Sequence, residues 1–381
     1  MRTTIVLRAC LAALAPAIVC APITPAAAQK GSPSYTFADL GPGQAYGVNA
    51  AGLIVGESRN VPQPPATGGN YASRPVLWSR SASGAWTATD LLLNFRDTGA
   101  FFQGRAAGIN SQGEIVGSWG QAGGPGQAFI IRPALVNGIK TWYQDRGDGF
   151  NALMTTTDYG GVSINDYSQI VSDQFAMQFL GGVETDTPLP GDGATAINTL
   201  RQVAGSINGP ASQLANVWQL DAGGNVVGSR TYNPVTGYGW SAATAIDNSG
   251  NIVGYSGKLV KPQNPAYGWR ANATLWQNGS PIALGATGEF TWANGVSMVN
   301  GALQVVGLGD STQGQFAFRW TAGKMSNLNT MATLPKGATG ISAILINANA
   351  INANGLIVGY VHIPEGPVIQ DLYDAYVLTP K

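Results

Sequence analysis

Short apolar runs set the rhythm of this chain. Arg105-Ala106-Ala107-Gly108-Ile109 leads into a polar turn, and Ile115-Val116-Gly117 leads out of it. The pattern then recurs as VNAAGLIVG (48–56), INSQGEIVG (109–117), INDYSQIVS (164–172), INTLRQVAG (197–205), IDNSGNIVG (246–254), VNGALQVVG (299–307) and INANGLIVG (351–359). Aligned on Asn49, Asn110, Asn165, Asn198, Asp247, Asn300 and Asn352, the copies are spaced by 61, 55, 33, 49, 53 and 52 residues. Each reads as a hairpin. An Asn or Asp can hydrogen-bond its own backbone two residues on, Gly or Asn tolerates the positive φ of a reversal, and the β-branched pair favours a pleated strand.

A second motif follows each hairpin: an apolar run with an aromatic. Val76-Leu77-Trp78, Ala215-Asn216-Val217-Trp218, Ala273-Thr274-Leu275-Trp276 and Ala317-Phe318-Arg319-Trp320 are examples. A turn and a fourth strand come next, as in QNGSPIALG (277–285) and TAGKMSNLN (321–329). Four short strands repeated seven times predict an all-β β-propeller of seven four-stranded blades. The Ala- and Gly-rich first strands suit the innermost position. The last unit lacks a fourth strand, and Tyr35–Gly41 precedes the first hairpin. Pairing residues 35–41 into the last blade therefore closes the ring and removes an open edge. A β-helix is the structural rival, but the uneven spacing fits blades with variable loops better than stacked coils. The third unit is degenerate: Ser172 replaces the final Gly, and its outer strands are hard to place, so the blade count is open by about one.

The string A-x-x-I-N-x-x-G-x-I-V-G-x-S, followed by A-F-x-W, a turn and M-x-D-L, resembles the HAF-type extracellular repeat family. RAAGINSQGEIVGSW (105–119), TAIDNSGNIVGYS (244–256) and QFAFRWTAGKMSNLN (315–329) carry the likeness, which spans residues 35–381. The resemblance implies exported bacterial propellers. It implies no reaction and carries over no catalytic residue.

Composition adds compartment. Arg2 and Arg8, an apolar stretch to Val19, and Ala26-Ala27-Ala28 before Gln29 predict a signal peptide over 1–28, leaving one propeller domain over 29–381 that is secreted or periplasmic. A lipid anchor at Cys20 is the alternative. Both cysteines, Cys10 and Cys20, lie in that segment, so the mature chain is expected to have no disulfide, thiol nucleophile or thiolate metal site. All 20 acids follow residue 28 while two of the 20 bases precede it, giving 18 − 20 = −2. No basic patch suggests nucleic acid, and no integral membrane segment is expected after cleavage.

Catalytic signals are weak. The single histidine, His362, has no nucleophile motif beside it, and one His without Cys argues against a zinc or copper site. Asp247-Asn248-Ser249-Gly250-Asn251 approaches a calcium loop but lacks the length and closing Glu of an EF-hand. Neither metal nor cofactor is expected. In the propeller, second-to-third and fourth-to-first loops share one face, and here they are the long, variable segments. They hold the candidate ligand-binding residues Tyr71, Phe102, Tyr238, Trp240, Tyr267, Trp269, Arg270 and Trp292, with Phe101 and Phe290 in the same segments. Aromatics beside Arg and amides suit stacking on sugars or an apolar ligand, although packing under their own loops would also explain them. The expected function is a binding module for a glycan or cell-envelope ligand. The alternatives are a hydrolase or lyase at the channel mouth and a purely structural surface protein.

Overall fold

A computed structural model describes residues 34–59, 73–91, 102–121, 127–136, 139–143, 162–172, 175–180, 183–191, 193–209, 212–260, 268–285, 288–312, 314–338, 340–364 and 373–381. All of them belong to the compact unit Ser32–Lys381. The expected signal segment, 1–28, lies outside the described residues.

The described chain is strands apart from one 3-10 turn at Leu328–Thr330. A seven-stranded sheet contains β1 (Tyr35–Val48), β2 (Ile54–Ser58), β3 (Arg74–Arg80) and β4 (Trp86–Asp90), together with the three C-terminal strands given below. Next come β5 (Phe102–Ile109), β6 (Ile115–Gln121), β7 (Gln127–Val136) and β8 (Ile139–Tyr143), then β9 (Ser163–Ile164), β10 (Gln169–Val171), β11 (Phe175–Leu180) and β12 (Val183–Pro188). They are followed by β13 (Ala194–Ile197), β14 (Gln202–Asn208), β15 (Gln213–Leu220), β16 (Val226–Tyr232), β17 (Trp240–Ile246), β18 (Ile252–Leu259), β19 (Trp269–Gln277) and β20 (Ser280–Gly285). β21 (Thr291–Val299), β22 (Ala302–Ser311), β23 (Gly314–Thr321), β24 (Lys324–Asn327), β25 (Ile344–Ile351), β26 (Ile357–His362) and β27 (Tyr373–Pro380) complete the chain.

The architecture is an all-β propeller arrangement. Its sheets correct the expected count: five blades stand as separate four-stranded antiparallel sheets, not seven. The remaining strands form one sheet in the order β25-β26-β27-β1-β2-β3-β4. The cause is β1, which is long enough to serve two neighbours. Its first half pairs with β27 from Tyr35↔Pro380 to Pro42↔Asp374, and its second half pairs with β2 from Gly43↔Ser58 to Val48↔Ile54. The N-terminal strand therefore does close onto the last unit, as its sequence suggested. The first strands β1, β5, β9, β13, β17, β21 and β25 contact one another in succession, and β25 contacts β1. In the degenerate third unit, the outer strands are β11 and β12, while the inner two have only two and three residues.

The final Gly of each repeat has a steric cause. A Cβ on Gly56, Gly117, Gly205, Gly254, Gly307 or Gly359 would strike the main-chain carbonyl of Gln44, Arg105, Gly193, Ala242, Trp292 or Asn347, respectively. At Gly56, Gly117, Gly205 and Gly307 the space on the far side is filled by the third-strand aromatic, Trp78, Phe129, Trp218 or Phe318. Glycine and aromatic are thus one packing unit. Where the third-strand residue is buried Trp78, Trp218 or Trp276, its indole N–H donates to the carbonyl of Leu40, Pro190 or Asn233 at 3.1, 3.2 and 2.8 Å, satisfying the group that burial would otherwise orphan.

The repeated asparagines do more than turn the chain. Their Oδ1 atoms accept from the N–H four residues on, as in Leu53 to Asn49, Glu114 to Asn110 and Gln169 to Asn165, at 3.0, 2.8 and 3.0 Å. Their Nδ2 groups then donate to the main-chain carbonyl of the next anchor. Asn352 reaches Asn49, Asn49 reaches Asn110, Asn110 reaches Asn165, Asn165 reaches Asn198 and Asn198 reaches Asp247, over 2.8–3.2 Å. These six anchors are buried. Together they form an amide belt around one face of the ring.

The Asp247 side chain has no N–H to pass on, and Asn300 has left the belt. The sixth hairpin pairs Val299 directly with Ala302, so Asn300 (φ 49°) and Gly301 (φ 78°) form a two-residue turn of primed type, with Asn300 exposed. A second tier spans this stretch from bulged positions of the inner strands. The Thr244 hydroxyl donates to the Ala293 carbonyl, and Asn294 Nδ2 donates to Asn347 Oδ1 at 2.7 Å and to the Ala348 carbonyl at 3.2 Å. Asn349 Nδ2 donates to the Ala45 carbonyl at 2.8 Å.

Candidate functional site

The belt occupies the hairpin end of the inner strands. The opposite end carries the candidate residues. Tyr71 and Tyr267 lie outside the described residues, and Phe102 begins β5 with its side chain outside them. The other five are described, and the structure divides them.

Trp240, Trp269 and Trp292 come together. Trp240 opens β17 opposite Gly257, and its indole fills the space that a side chain there would need. Trp269 opens β19 two residues before Ala271, the partner of Gly257, so both rings share one face of the blade. Trp292, on the neighbouring β21, stacks on Trp269 with centroids 6.0 Å apart and planes 11° apart. Trp240 lies 6.5 Å from Trp269, Phe290 stands edge-on to Trp269 at 4.8 Å, and Tyr255 lies 6.0 Å from Trp292. Small residues across the strands (Ala242, Gly257, Ala271 and Ala273) leave room for the rings. The three tryptophans remain half-buried, while Phe290 is buried. Trp292 Nε1 is buried without a hydrogen-bond partner among the described residues.

Tyr238 and Arg270 belong elsewhere. Arg270 is exposed and pairs across strands with Lys258, on the face opposite Trp269. The Lys258 ammonium sits 4.7 Å from the Tyr238 ring centroid. Neither cation forms an ion pair among the described residues, where the pairs are Arg74–Asp90 and Arg132–Glu114. Of the five described candidates, Trp240, Trp269 and Trp292 come together, while Arg270 faces the other side of its strand.

Two positions went unnoticed in the sequence. Tyr255 and Glu57 each follow the final repeat Gly, eight residues beyond Asp247 and Asn49. The signal was the residue after the Gly: Glu57, Ser118, Ser206, Tyr255, Leu308 and Tyr360 differ where the repeat is otherwise regular.

Glu57 faces a polar group instead of rings. Its strand partner is Gln44, whose Oε1 accepts from the Tyr46 hydroxyl at 3.3 Å. The Arg105 guanidinium, from the adjacent β5, lies 5.7 Å from the Tyr46 ring centroid. Burial pushes the Glu57 carboxyl up, opposed by the charges of Arg59 and Arg105 and by hydrogen bonds from Ser73 and Tyr46. Burial, then the Glu57 charge, pushes the Tyr46 phenol well up. Near the aromatic cluster, Asp310 is held above the usual carboxylate range by partial burial, with a smaller contribution from Glu289.

His362 lies edge-on to Tyr373 at 6.3 Å. Among the described residues, no group of three or more metal-ligating side chains converges, and no helix is long and apolar enough to cross a membrane.

No family model matches the chain, and no curated protein matches it. Among solved structures it is similar to a fungal alcohol oxidase of the AA5 family in complex with copper, at 14% identity and TM-score 0.48, over 92% of this chain and 77% of that one. It is also similar to Trypanosoma rangeli sialidase with the inhibitor DANA (8% identity, TM-score 0.41) and with sialic acid (10%, 0.38). The chain spans 55% and 54% of those two sialidase chains, and they cover 91% and 90% of it. At such identities and scores, these likenesses carry no chemistry across.

Proposed function

We propose that this protein is an exported HAF-type repeat propeller that binds a glycan or other cell-envelope ligand on the loop face opposite the amide belt. The supporting observation is the Trp240–Trp269–Trp292 group. Three half-buried indoles from two adjacent blades, two of them parallel, offer the apolar faces on which sugar rings stack. The orphaned Trp292 N–H adds weight. An unsatisfied buried donor costs about 1–3 kcal/mol, and a bound acceptor near the cluster would relieve it. Export is supported by the sequence of residues 1–28 and by the scarcity of charge.

The test is a glycan array on the purified mature protein, followed by calorimetry on a hit. Replacing Trp240, Trp269 and Trp292 together with Ala is expected to weaken binding at least tenfold, since each stacked ring contributes about 0.5–1.5 kcal/mol beyond its buried area. Circular dichroism checks that the ring stays folded. Unchanged affinity in the folded triple variant would remove this reading.

A further inference from the structure

A regular repeat needs nothing charged at the position after its final Gly. At the junction of the fifth and sixth units, that position and its neighbour across the gap are Tyr255 and Trp292, which pack as rings. At the junction of the first and second units, the corresponding pair is Glu57 and Arg105. The fold tolerates an apolar solution there, so the polar one is not required for closure.

Polar groups converge at this junction from four strands or their ends. β1 supplies Gln44 and Tyr46, β2 supplies Glu57 and is followed by Arg59, Ser73 precedes β3, and β5 supplies Arg105. Gln44, Tyr46, Glu57, Arg59, Ser73 and Arg105 are all half-buried, so the group is partly shielded from water yet open to it. Tyr46 occupies the bulge between Ala45 and Gly47. That bulge position carries Thr244 and Asn294 in the fifth and sixth units, where each side chain reaches the next unit's backbone. Tyr46 instead meets the next unit through a guanidinium. With two guanidiniums against one carboxyl, the group has a surplus of positive charge beside hydroxyl and amide donors. Neither arginine forms an ion pair of salt-bridge length among the described residues.

We propose that this junction is a binding site for a carboxylate-bearing ligand, with Arg105 as its main anchor, Arg59 as second cation and Tyr46, Gln44 and Ser73 as donors. Planar guanidinium forks match carboxylates, and in a half-buried site the pairing is less screened than at the surface. Glu57 acts as the competitor. Ionised, its charge offsets those of the two arginines without pairing at salt-bridge length; protonated, it no longer does so and becomes a donor itself. The groups facing Glu57 are Arg59, Arg105, Tyr46 and Ser73, and burial is the largest influence on its carboxyl, raising it. Because burial raises its carboxyl, Glu57 takes up a proton before a sugar acid does as pH falls, the sugar acid's carboxyl lying near the α-carboxyl range of about 3.3–3.7. Affinity is therefore expected to rise as pH falls from neutral toward the weakly acidic range. This site is separate from the tryptophan platform, and neither depends on the other.

Calorimetry on the full mature chain tests it with three probes: oligogalacturonate, a neutral gluco-oligosaccharide and succinate. Oligogalacturonate should bind at least fivefold more tightly at pH 5 than at pH 7.5, and the neutral sugar should show no such dependence. Binding of succinate with the same pH trend would identify a small organic acid as the source, and preference for the oligouronate would identify an acidic glycan. Arg105→Ala should weaken binding at least tenfold. Glu57→Gln should bind at pH 7.5 nearly as wild type does at pH 5, and Arg105→Lys should restore only part of the loss. Should Arg105→Ala destabilise the fold, the Glu57→Gln profile decides by itself. The proposal is overturned if neither carboxylate probe binds, if folded Arg105→Ala binds as wild type does, or if Glu57→Gln keeps the wild-type pH profile. Loss of the tryptophan platform should leave all of these results in place.

Discussion

Replacing Gly205 with Ala should destabilise the protein by about 3 kcal/mol, the upper end of ordinary overpacking costs. The added methyl meets the Gly193 carbonyl well inside van der Waals contact, with the Ala194 Cα and a ring carbon of Trp218 both at 2.9 Å on its other sides. A carbonyl in a ladder cannot turn away without losing its own hydrogen bonds, and Trp218 is fully buried with its indole N–H committed to Pro190. The side with room to give is missing. Gly228→Ala is the control. A Cβ there meets nothing within 4 Å and φ is not positive, so that change should be neutral or stabilise by up to about 1 kcal/mol. Urea midpoints of the two variants measure the contrast.

Asn110→Asp is expected to have the next largest effect, and its pH dependence sets it apart from simple loss of a turn. Asp keeps the Oδ1 that accepts from Glu114 N, so the hairpin can still form. It loses the amide that donates to the Asn165 carbonyl at 3.0 Å and to Glu114 Oε2 at 2.7 Å. Two carboxylates would then face each other in a buried site whose remaining donors are Arg132 at 2.8 Å and the Ser168 hydroxyl at 2.6 Å. Like charges that close raise at least one of the two titrations above the unfolded value. A raised carboxyl in the folded state means that stability is lost as pH rises through that shifted range. The variant should be clearly less stable than wild type at pH 7, by about 1–3 kcal/mol or more, and recover part of the loss near pH 4.

Much of the ring was legible in the sequence because its signals are local. Hairpin turns, β-branched pairs and third-strand aromatics each announce a strand, and all of these strands are present in the structure. Residues 35–41 were legible as a closing strand because the last unit visibly lacked one. The belt was not legible, since four of the asparagines donate to a residue 33 to 61 positions further along and Asn352 donates back to Asn49, whereas the local sequence carries only the turn that the same side chain makes. Asn300 shows the opposite case. Val299-Asn300 matches the repeat at its start, yet the following Gly301 makes Asn-Gly, the strongest short hairpin signal, and the local preference overrode the alignment. The number of separate sheets was hidden by the reach of β1. For the site, the Trp residues stood out by chemistry, but strand alternation sent Arg270 away from them and brought in Tyr255. Glu57 and Arg105 lie on β2 and β5 of different units, and only the packing of those units brings their charges together.

The most direct measurement is a thermal denaturation series of single Asn→Asp variants at positions 49, 110, 165, 198, 300 and 352 at pH 7. Asp preserves the turn acceptor, as Asp247 demonstrates with Ser249 and Asn251 N–H both at 2.9 Å, and removes the donor to the next unit, together at 110, 165 and 198 with the amide's bond to the side chain four residues on. If these side chains clasp the ring, the midpoint falls at 49, 110, 165, 198 and 352 and stays close to wild type at 300. Equal effects at all six positions, or none at the five, would show that the asparagines are turn residues and that the ring is held by other means.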